Sequence, residues 1–128
     1  MKIIGVDHIT INMIDVEKSF QFYEKVLGFE RAEEVDMGNH VLHLFKIPGI
    51  KLELIEYKEK QKVVSTSNTD VGIYRHFAIC VDDLEECCKQ CEQAGYGINM
   101  YPEWIEEIAK RVMLIRDPNG VEIEIIQA

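Results

Sequence analysis

The chain has 128 residues, of which 47% are hydrophobic and 29% charged, enough apolar material for one compact domain with its own core. Its 23 acidic residues outnumber its 14 basic ones, which gives a formal net charge of −9. This excess of negative charge argues against nucleic-acid binding, which needs clustered cations along the phosphate backbone. No apolar run reaches the roughly 18 residues of a membrane span. Asp7 and His8 interrupt the first apolar stretch, so we expect a cytoplasmic protein that contacts no membrane.

The first predicted elements are a strand and a helix. Residues 7–13 alternate between an apolar face and a polar face that begins at His8, which is typical of a half-buried strand. Asp15 is a suitable N-cap and Gly28 a suitable C-terminal cap for the helix that follows. Apolar residues between them recur at helical spacing and predict one buried stripe: Val16, Phe20, Tyr23 and Leu27.

Three more strands are predicted in the first half, at "FERAEEV", "HVLHLFKI" and "KLELIEY". In the last of these, Leu52 and Leu54 lie on one face and Glu53 lies on the other. The polar segment 58–72 has the composition of a linker.

The second half repeats this plan. A strand at "YRHFAICV" is followed by a helix with Asp83 as its N-cap and Gly95 at its end. We then expect a short strand near "GINMY", a loop up to residue 109, and strands at "KRVMLIR" and "VEIEIIQ". The sequence "DPNG" between these last two strands predicts a tight turn.

Corresponding residues in the two halves have nearly constant spacing. His76 follows His8 by 68 residues, and Glu124 follows Glu53 by 71. Near-constant spacing is the signature of an internal repeat. The sequence therefore predicts an α+β protein, one domain of residues 1–128, built from two βαβββ repeats at about 1–57 and 73–128.

These four residues are candidate metal ligands: His8, Glu53, His76 and Glu124. Each lies on the strand face opposite the apolar residues that pack under a helix. If each sheet curls, two imidazoles and two carboxylates converge in its concavity and suit a divalent metal ion such as zinc, nickel, cobalt or manganese. A single strand histidine is more often structural and a single strand glutamate more often solvent-facing, but their equivalent placement in both repeats favours a shared site.

The other candidate ligands have structural interpretations. Cys88 and Cys91 fit a C-x-x-C spacing, but no second pair exists to complete a zinc site. We expect the three cysteines at 87, 88 and 91 to be buried on a helix and Cys80 to lie on a strand. His40 and His43 face different sides of a strand and are predicted to be structural or surface residues.

Four segments together resemble the vicinal oxygen chelate superfamily, which includes glyoxalase I, methylmalonyl-CoA epimerase, extradiol dioxygenases and antibiotic-resistance proteins. They are "DHITINMIDVEKSFQFYEKVLGFE", "KLELIEY", "RHFAICVDDLEE" and "RDPNGVEIEII". The resemblance implies paired βαβββ modules forming a curled mixed sheet with a concave metal site, and a homodimer. It also implies metal ligands at His8, Glu53, His76 and Glu124.

The resemblance further implies a glyoxalase I-like lyase or isomerase that acts on a small-molecule substrate. Such an enzyme moves a proton next to a carbonyl through a metal-stabilised enediolate, with Glu124 or Glu53 as the base. Glutathione-dependent members typically carry an arginine shortly after the first histidine. Asn12 stands there in this chain, which counts against glutathione as the co-substrate. A methylmalonyl-CoA epimerase-like isomerase and a non-catalytic antibiotic-binding protein are the alternatives, and the complete ligand set favours an enzyme.

Overall fold

The computed structural model describes residues 1–128 and divides into two compact units, Met1–Val63 and Val64–Ala128. Each unit contains one four-stranded mixed sheet and one main helical segment. The predicted α+β class is confirmed. Both units have the strand and helix order expected of a βαβββ repeat, and their union into one domain stays a prediction.

The first unit contains strands β1 (His8–Asn12), β2 (Glu30–Asp36), β3 (His40–Ile47) and β4 (Ile50–Tyr57). Helix α1 (Val16–Phe20) continues directly into a π-helical segment, Gln21–Val26. The sheet order is β1-β4-β3-β2, in which β1 runs parallel to β4 and the other pairs are antiparallel.

The second unit contains strands β5 (His76–Val81), β6 (Ile98–Ile105), β7 (Lys110–Arg116) and β8 (Glu122–Gln127), with helix α2 (Leu84–Gln93) after β5. Its sheet order is β5-β8-β7-β6, again with the first pair parallel. No helix in either unit is both long enough and apolar enough to cross a membrane.

The core of each unit lies between its helix and one face of its sheet. In the first unit Leu52, Leu54 and Phe45 are fully buried, and in the second Ile123 and Ile125 are. Alternation along each strand therefore leaves the intervening polar residues on the opposite face. This is the face assignment that the sequence predicted for the candidate ligands.

Both helices begin at the predicted caps. The Asp15 carboxylate accepts a hydrogen bond from the amide of Lys18 at 3.0 Å, and the Asp83 carboxylate accepts one from the amide of Glu86 at 2.9 Å. Gly28 ends the first helical segment with φ of +71°, a conformation that glycine adopts without steric cost.

The predicted stripe of the first helix is partly wrong. Phe22 and Val26 are buried in addition to Tyr23, whereas Phe20 is only half-buried. The amide of Leu27 donates to the carbonyl of Phe22, five residues back. This wider π-type turn rotates the buried face away from the 3.6-residue period on which the prediction was based.

Strand β6 is longer than predicted. It runs through eight residues to Ile105, and a 3₁₀ turn, Glu106–Ile108, replaces the expected loop. Its pairing with β7 shifts register between Ile98 and Met100 and again before Glu103. These irregularities, together with Pro102, break the alternation by which a strand is recognised, and both are tolerated because β6 lies at the sheet edge.

The predicted placement of the cysteines is confirmed, with three on α2 and Cys80 on β5. Their predicted burial holds only for Cys91, which is fully buried. Cys87 and Cys88 are half-buried and Cys80 is exposed, and all four thiols are free. The helix packs only one narrow face, because its polar residues on either side reach solvent.

Candidate metal centre

In the second unit, the structure brings His76 and Glu124 together. The Nε2 atom of His76 lies 3.1 Å from Oε2 of Glu124, and the two side chains are 25% and 20% exposed. Glu124 is in register with Ala78, so it lies diagonally across from His76 on the same sheet face. Two ligand atoms about 2.1 Å from one ion, at right angles, would be separated by about 3.0 Å. The distance is that of an ordinary hydrogen bond and is also compatible with neighbouring ligands of one divalent ion.

Glu122 supports His76 from the other side of the ring. Its Oε1 atom lies 3.2 Å from Nδ1 of His76 and 3.1 Å from Nε of Arg75, and Asn68 donates to Oε2 at 3.3 Å. The carboxylate is only 2% exposed. Burial raises the pKa of Glu122, but hydrogen bonds from Asn68 and His76 and the charge of Arg75 outweigh it and lower the pKa below its ordinary value. An ionised carboxylate thus faces His76.

In the first unit, His8 and Glu53 occupy the equivalent register positions. His8 is in register with Lys51, and Glu53 is in register with Thr10. The two candidate ligands nevertheless contact other partners. Nδ1 of His8 lies 2.8 Å from Oδ2 of Asp7, while the Thr10 hydroxyl donates to Oε1 of Glu53 at 3.1 Å.

No group of three or more histidine, cysteine, aspartate or glutamate side chains in the structure is arranged to hold a metal ion. The structure joins His76 to Glu124 and gives His8 and Glu53 the matching places in their own sheet. Each unit supplies one imidazole and one carboxylate, which is donor chemistry suited to a borderline divalent ion. The four-ligand site stays a prediction that this donor chemistry fits.

His43, the second histidine of β3, is structural, which is one of the two alternatives predicted for it. His43 is 4% exposed and lies on the helix-facing side of the sheet. Its Nε2 atom is 2.8 Å from Oε2 of Glu56, and the Phe20 ring packs against it edge-on at 4.9 Å. His40, at the start of the same strand, pairs instead with the neighbouring Asn39 side chain.

The residues that surround the candidate ligands were not predicted from the sequence. Glu122, Thr10 and Asp7 each contact one of them or its ring, and no motif marks these positions. A signal was present for Glu122, since alternation places it on the same face as Glu124. Its burial and its contact with His76 depend on the parallel register of β5 and β8, which the sequence does not reveal.

Comparison with known proteins identifies the family. Residues 5–125 match the model of the Glyoxalase/Bleomycin resistance protein/Dioxygenase superfamily. The lactoylglutathione lyase of Salmonella typhimurium is 26% identical over 125 residues, which cover 94% of this chain and 90% of that protein.

Solved structures share the fold. A glyoxalase family protein from Enterococcus faecalis has a TM-score of 0.79 at 22% identity, with 96% of this chain and 97% of that one covered. TnmS3, an antibiotic binding protein from Streptomyces sp. CB03234, has a TM-score of 0.75 at 20% identity, with 99% and 98% covered. With its doubled βαβββ topology and a family match over almost its whole length, the chain belongs to the Glyoxalase/Bleomycin resistance protein/Dioxygenase superfamily.

Proposed function

We propose that the chain is a metal-dependent lyase or isomerase of the glyoxalase type, which moves a proton on a carbon next to a carbonyl. The contact between His76 Nε2 and Glu124 Oε2 at 3.1 Å carries this proposal. The equivalent register of His8 and Glu53 supports it, and the name of the Salmonella relative supplies the class of reaction.

Each residue has a distinct part in the proposed site. His8 and His76 would bind a zinc, nickel, cobalt or manganese ion through Nε2, and Glu53 and Glu124 through their carboxylates. When bound, such an ion acts as a Lewis acid towards neighbouring oxygens of the substrate. A carboxylate beside the substrate carbon can then accept and return the proton.

The two glutamates are not equally free to act as that base. Glu53 accepts a hydrogen bond from the Thr10 hydroxyl. Ala78 occupies the corresponding position opposite Glu124 and has no donor to offer. Glu124 keeps its contact with His76 Nε2, the atom that would bind the metal, but has no counterpart of the Thr10 hydrogen bond. Because a hydrogen bond restrains the carboxylate that accepts it, Glu124 is the main base of the proposed reaction and Glu53 the more static partner.

The substrate is proposed to be a small α-hydroxy or α-keto compound, or the adduct of such a compound with a thiol. Asn12 is exposed at the end of β1 and provides no positive charge for a glutathione carboxylate. An epimerase of the methylmalonyl-CoA type is the second candidate, because it needs two carboxylate bases and the two repeats provide one each.

Metal binding and turnover test this function. Purified protein should contain a divalent ion, or gain thermal stability when one is added. It should turn over at least one member of a panel of methylglyoxal–thiol hemithioacetals and methylmalonyl-CoA, and a chelator should abolish that turnover.

The E124Q variant should lose turnover and remain folded. E107Q, at an exposed position of the 3₁₀ turn, is the matched control and should keep full activity. A protein that binds no metal and whose ligand binding is indifferent to chelator would instead be a binder of the kind that the TnmS3 name describes.

A further inference from the structure

The two histidine-bearing strands have the same register against their parallel partners. His8 is in register with Lys51, and His76 is in register with Glu122. The residue before each histidine and the residue opposite it are therefore structurally equivalent between the units. These two positions can be compared directly, although their residue types differ.

At these positions the charges are exchanged. In the first unit the acidic residue, Asp7, precedes the histidine, and the basic residue, Lys51, lies on the partner strand. In the second unit the basic residue, Arg75, precedes the histidine, and the acidic residue, Glu122, lies on the partner strand. Both combinations form an ion pair, at 3.4 Å from Lys51 Nζ to Asp7 Oδ1 and at 3.1 Å from Arg75 Nε to Glu122 Oε1.

In both units, the acid of the pair also contacts Nδ1 of the histidine. The distance is 2.8 Å from Asp7 Oδ2 to His8 Nδ1 and 3.2 Å from Glu122 Oε1 to His76 Nδ1. An ionised carboxylate only accepts hydrogen bonds, so the contact favours a proton on Nδ1. In His76 the Glu124 carboxylate lies 3.1 Å from Nε2 and competes for that proton. Glu122 is 2% exposed and Glu124 is 20% exposed, so the less screened contact with Glu122 favours Nδ1. A ring protonated at Nδ1 presents Nε2 as its metal-binding nitrogen.

We infer that Asp7–Lys51 and Arg75–Glu122 are positioning pairs, one for each histidine. In each pair the carboxylate orients the ring and keeps the proton on Nδ1, and the cation holds the carboxylate in place. The inference rests on the proposed function only in that the oriented Nε2 atoms serve a metal ion. It assigns a role to four residues that neither bind the metal nor react.

A purely stabilising ion pair would not need its acid to contact the histidine. The acid does so in both units, although it comes from opposite strands of the parallel pair. What the two units share is therefore the carboxylate at Nδ1, and the exchange of charges preserves it.

The two pairs differ in strength because they differ in burial. The Asp7 and Lys51 side chains are 71% and 50% exposed, so salt and water screen that pair. Glu122 is 2% exposed, so its contact with His76 is screened much less. Loss of Glu122 should therefore affect His76 more strongly than loss of Asp7 affects His8.

Nitrogen-15 spectra of the metal-free, histidine-labelled protein at pH 8 test the proton position directly. In the wild type, Nδ1 of both rings should have the chemical shift of a protonated nitrogen. In E122M, which keeps the side-chain length without the oxygens, Nδ1 of His76 should lose its proton, because Glu124 is then the only acceptor and it faces Nε2. D7A should weaken the Nδ1 signal of His8 and leave His76 unchanged.

Exchanged-charge variants separate positioning from general stability. R75D/E122K gives the second unit the arrangement of the first, and D7R/K51E does the reverse. R75D/E122K should keep the Nδ1 proton of His76 that E122M loses. D7R/K51E should keep the Nδ1 signal of His8 that D7A weakens. The matched control is E85R/R111E, which exchanges an exposed ion pair between α2 and β7 that contacts neither ring and should change neither.

Metal affinity is the second readout. By calorimetric titration with nickel, E122M should bind roughly 10- to 100-fold more weakly, as is usual when a partner of a ligating histidine is lost. R75D/E122K should recover most of that loss, and D7A should lose only a few-fold. Should the buried variants fail to fold, D7A and D7R/K51E, both at exposed positions, still decide the question.

An unchanged Nδ1 signal in E122M and D7A would overturn the inference, as would folded charge-exchange variants that recover neither proton nor metal. A wild-type protein that binds no metal would refute the proposed function instead. The spectra of the metal-free protein would still decide the positioning role in that case.

Discussion

The hydrogen bond from Thr10 to Glu53 leads us to predict how much each of the two candidate bases, Glu53 and Glu124, contributes to turnover. The donor and acceptor oxygens are 3.1 Å apart, and Glu124 has Ala78 in the corresponding register position. T10V removes the hydroxyl with almost no change of shape. It should release Glu53 and let it take over part of the proton transfer when Glu124 is absent.

The size of this effect follows from the surroundings of the bond. Hydrogen bonds to charged groups contribute about 1.5–3 kcal/mol when they are buried. Thr10 is exposed and Glu53 is half-buried, so we expect about 1 kcal/mol, which corresponds to about a fivefold change in rate. The residual turnover of T10V/E124Q should therefore exceed that of E124Q about fivefold, with the reciprocal effect in A78T, where a new hydroxyl can restrain Glu124.

The assay is steady-state turnover of the best panel substrate with one metal, using E124Q, E53Q and their combinations with T10V. T10S, which keeps the hydroxyl, is the control and should behave as the parent. Equal loss of turnover in E53Q and E124Q would refute the unequal roles of the two glutamates. A residual rate of E124Q that T10V leaves unchanged would refute the role of the Thr10 hydroxyl.

Three further predictions concern stability, thiol reactivity and pH. I125A removes a fully buried side chain of β8 and should lower the free energy of unfolding by about 2–5 kcal/mol in urea titrations. Iodoacetamide should label exposed Cys80 quickly and Cys91 only on unfolding, by mass spectrometry, because a hydrogen bond to a neighbouring thiol and burial raise the pKa of Cys91. Hydrogen bonds from Lys58 and a backbone amide lower the pKa of Asp36, so its stabilising contribution is present above the ordinary carboxyl value of 3.8 and is lost as the pH falls through the lower folded value. The stability difference between wild type and D36N should accordingly shrink in acid, and a difference that grows there would contradict this sign.

The sequence alone was sufficient to predict strand faces, helix caps and turns, because neighbouring residues determine these features. Alternation placed His8 and Glu124 on the faces where the structure has them, and Asp15 and Asp83 begin their helices as predicted. The turn at "DPNG" also forms as expected, because the Asp117 carboxylate accepts hydrogen bonds from the amides of Asn119 and Val121 at 2.8 Å.

The features that were missed all depend on register or on a change of period. The π-type turn before Leu27 alters which residues of the first helix are buried, and propensity gives no warning of it. Glu122 has the local sequence of a solvent-facing strand residue, and only the parallel pairing with β5 brings it to His76. Long-range register of this kind is determined by the whole sheet and not by neighbouring residues.

The comparison of the two units shows why residue identity is a poor guide to the surroundings of such a site. In register, Asp7 corresponds to Arg75 and Lys51 to Glu122, so an alignment of the halves pairs opposite charges. A parallel pair of strands offers two positions beside each histidine, and a carboxylate in either one can reach Nδ1. A carboxylate at Nδ1, held by a cation, requires one acidic and one basic residue in the two positions, in either order. Searches of related chains for histidine-orienting carboxylates should therefore score the pair of positions jointly, because scoring either position alone would find a mixture of opposite charges.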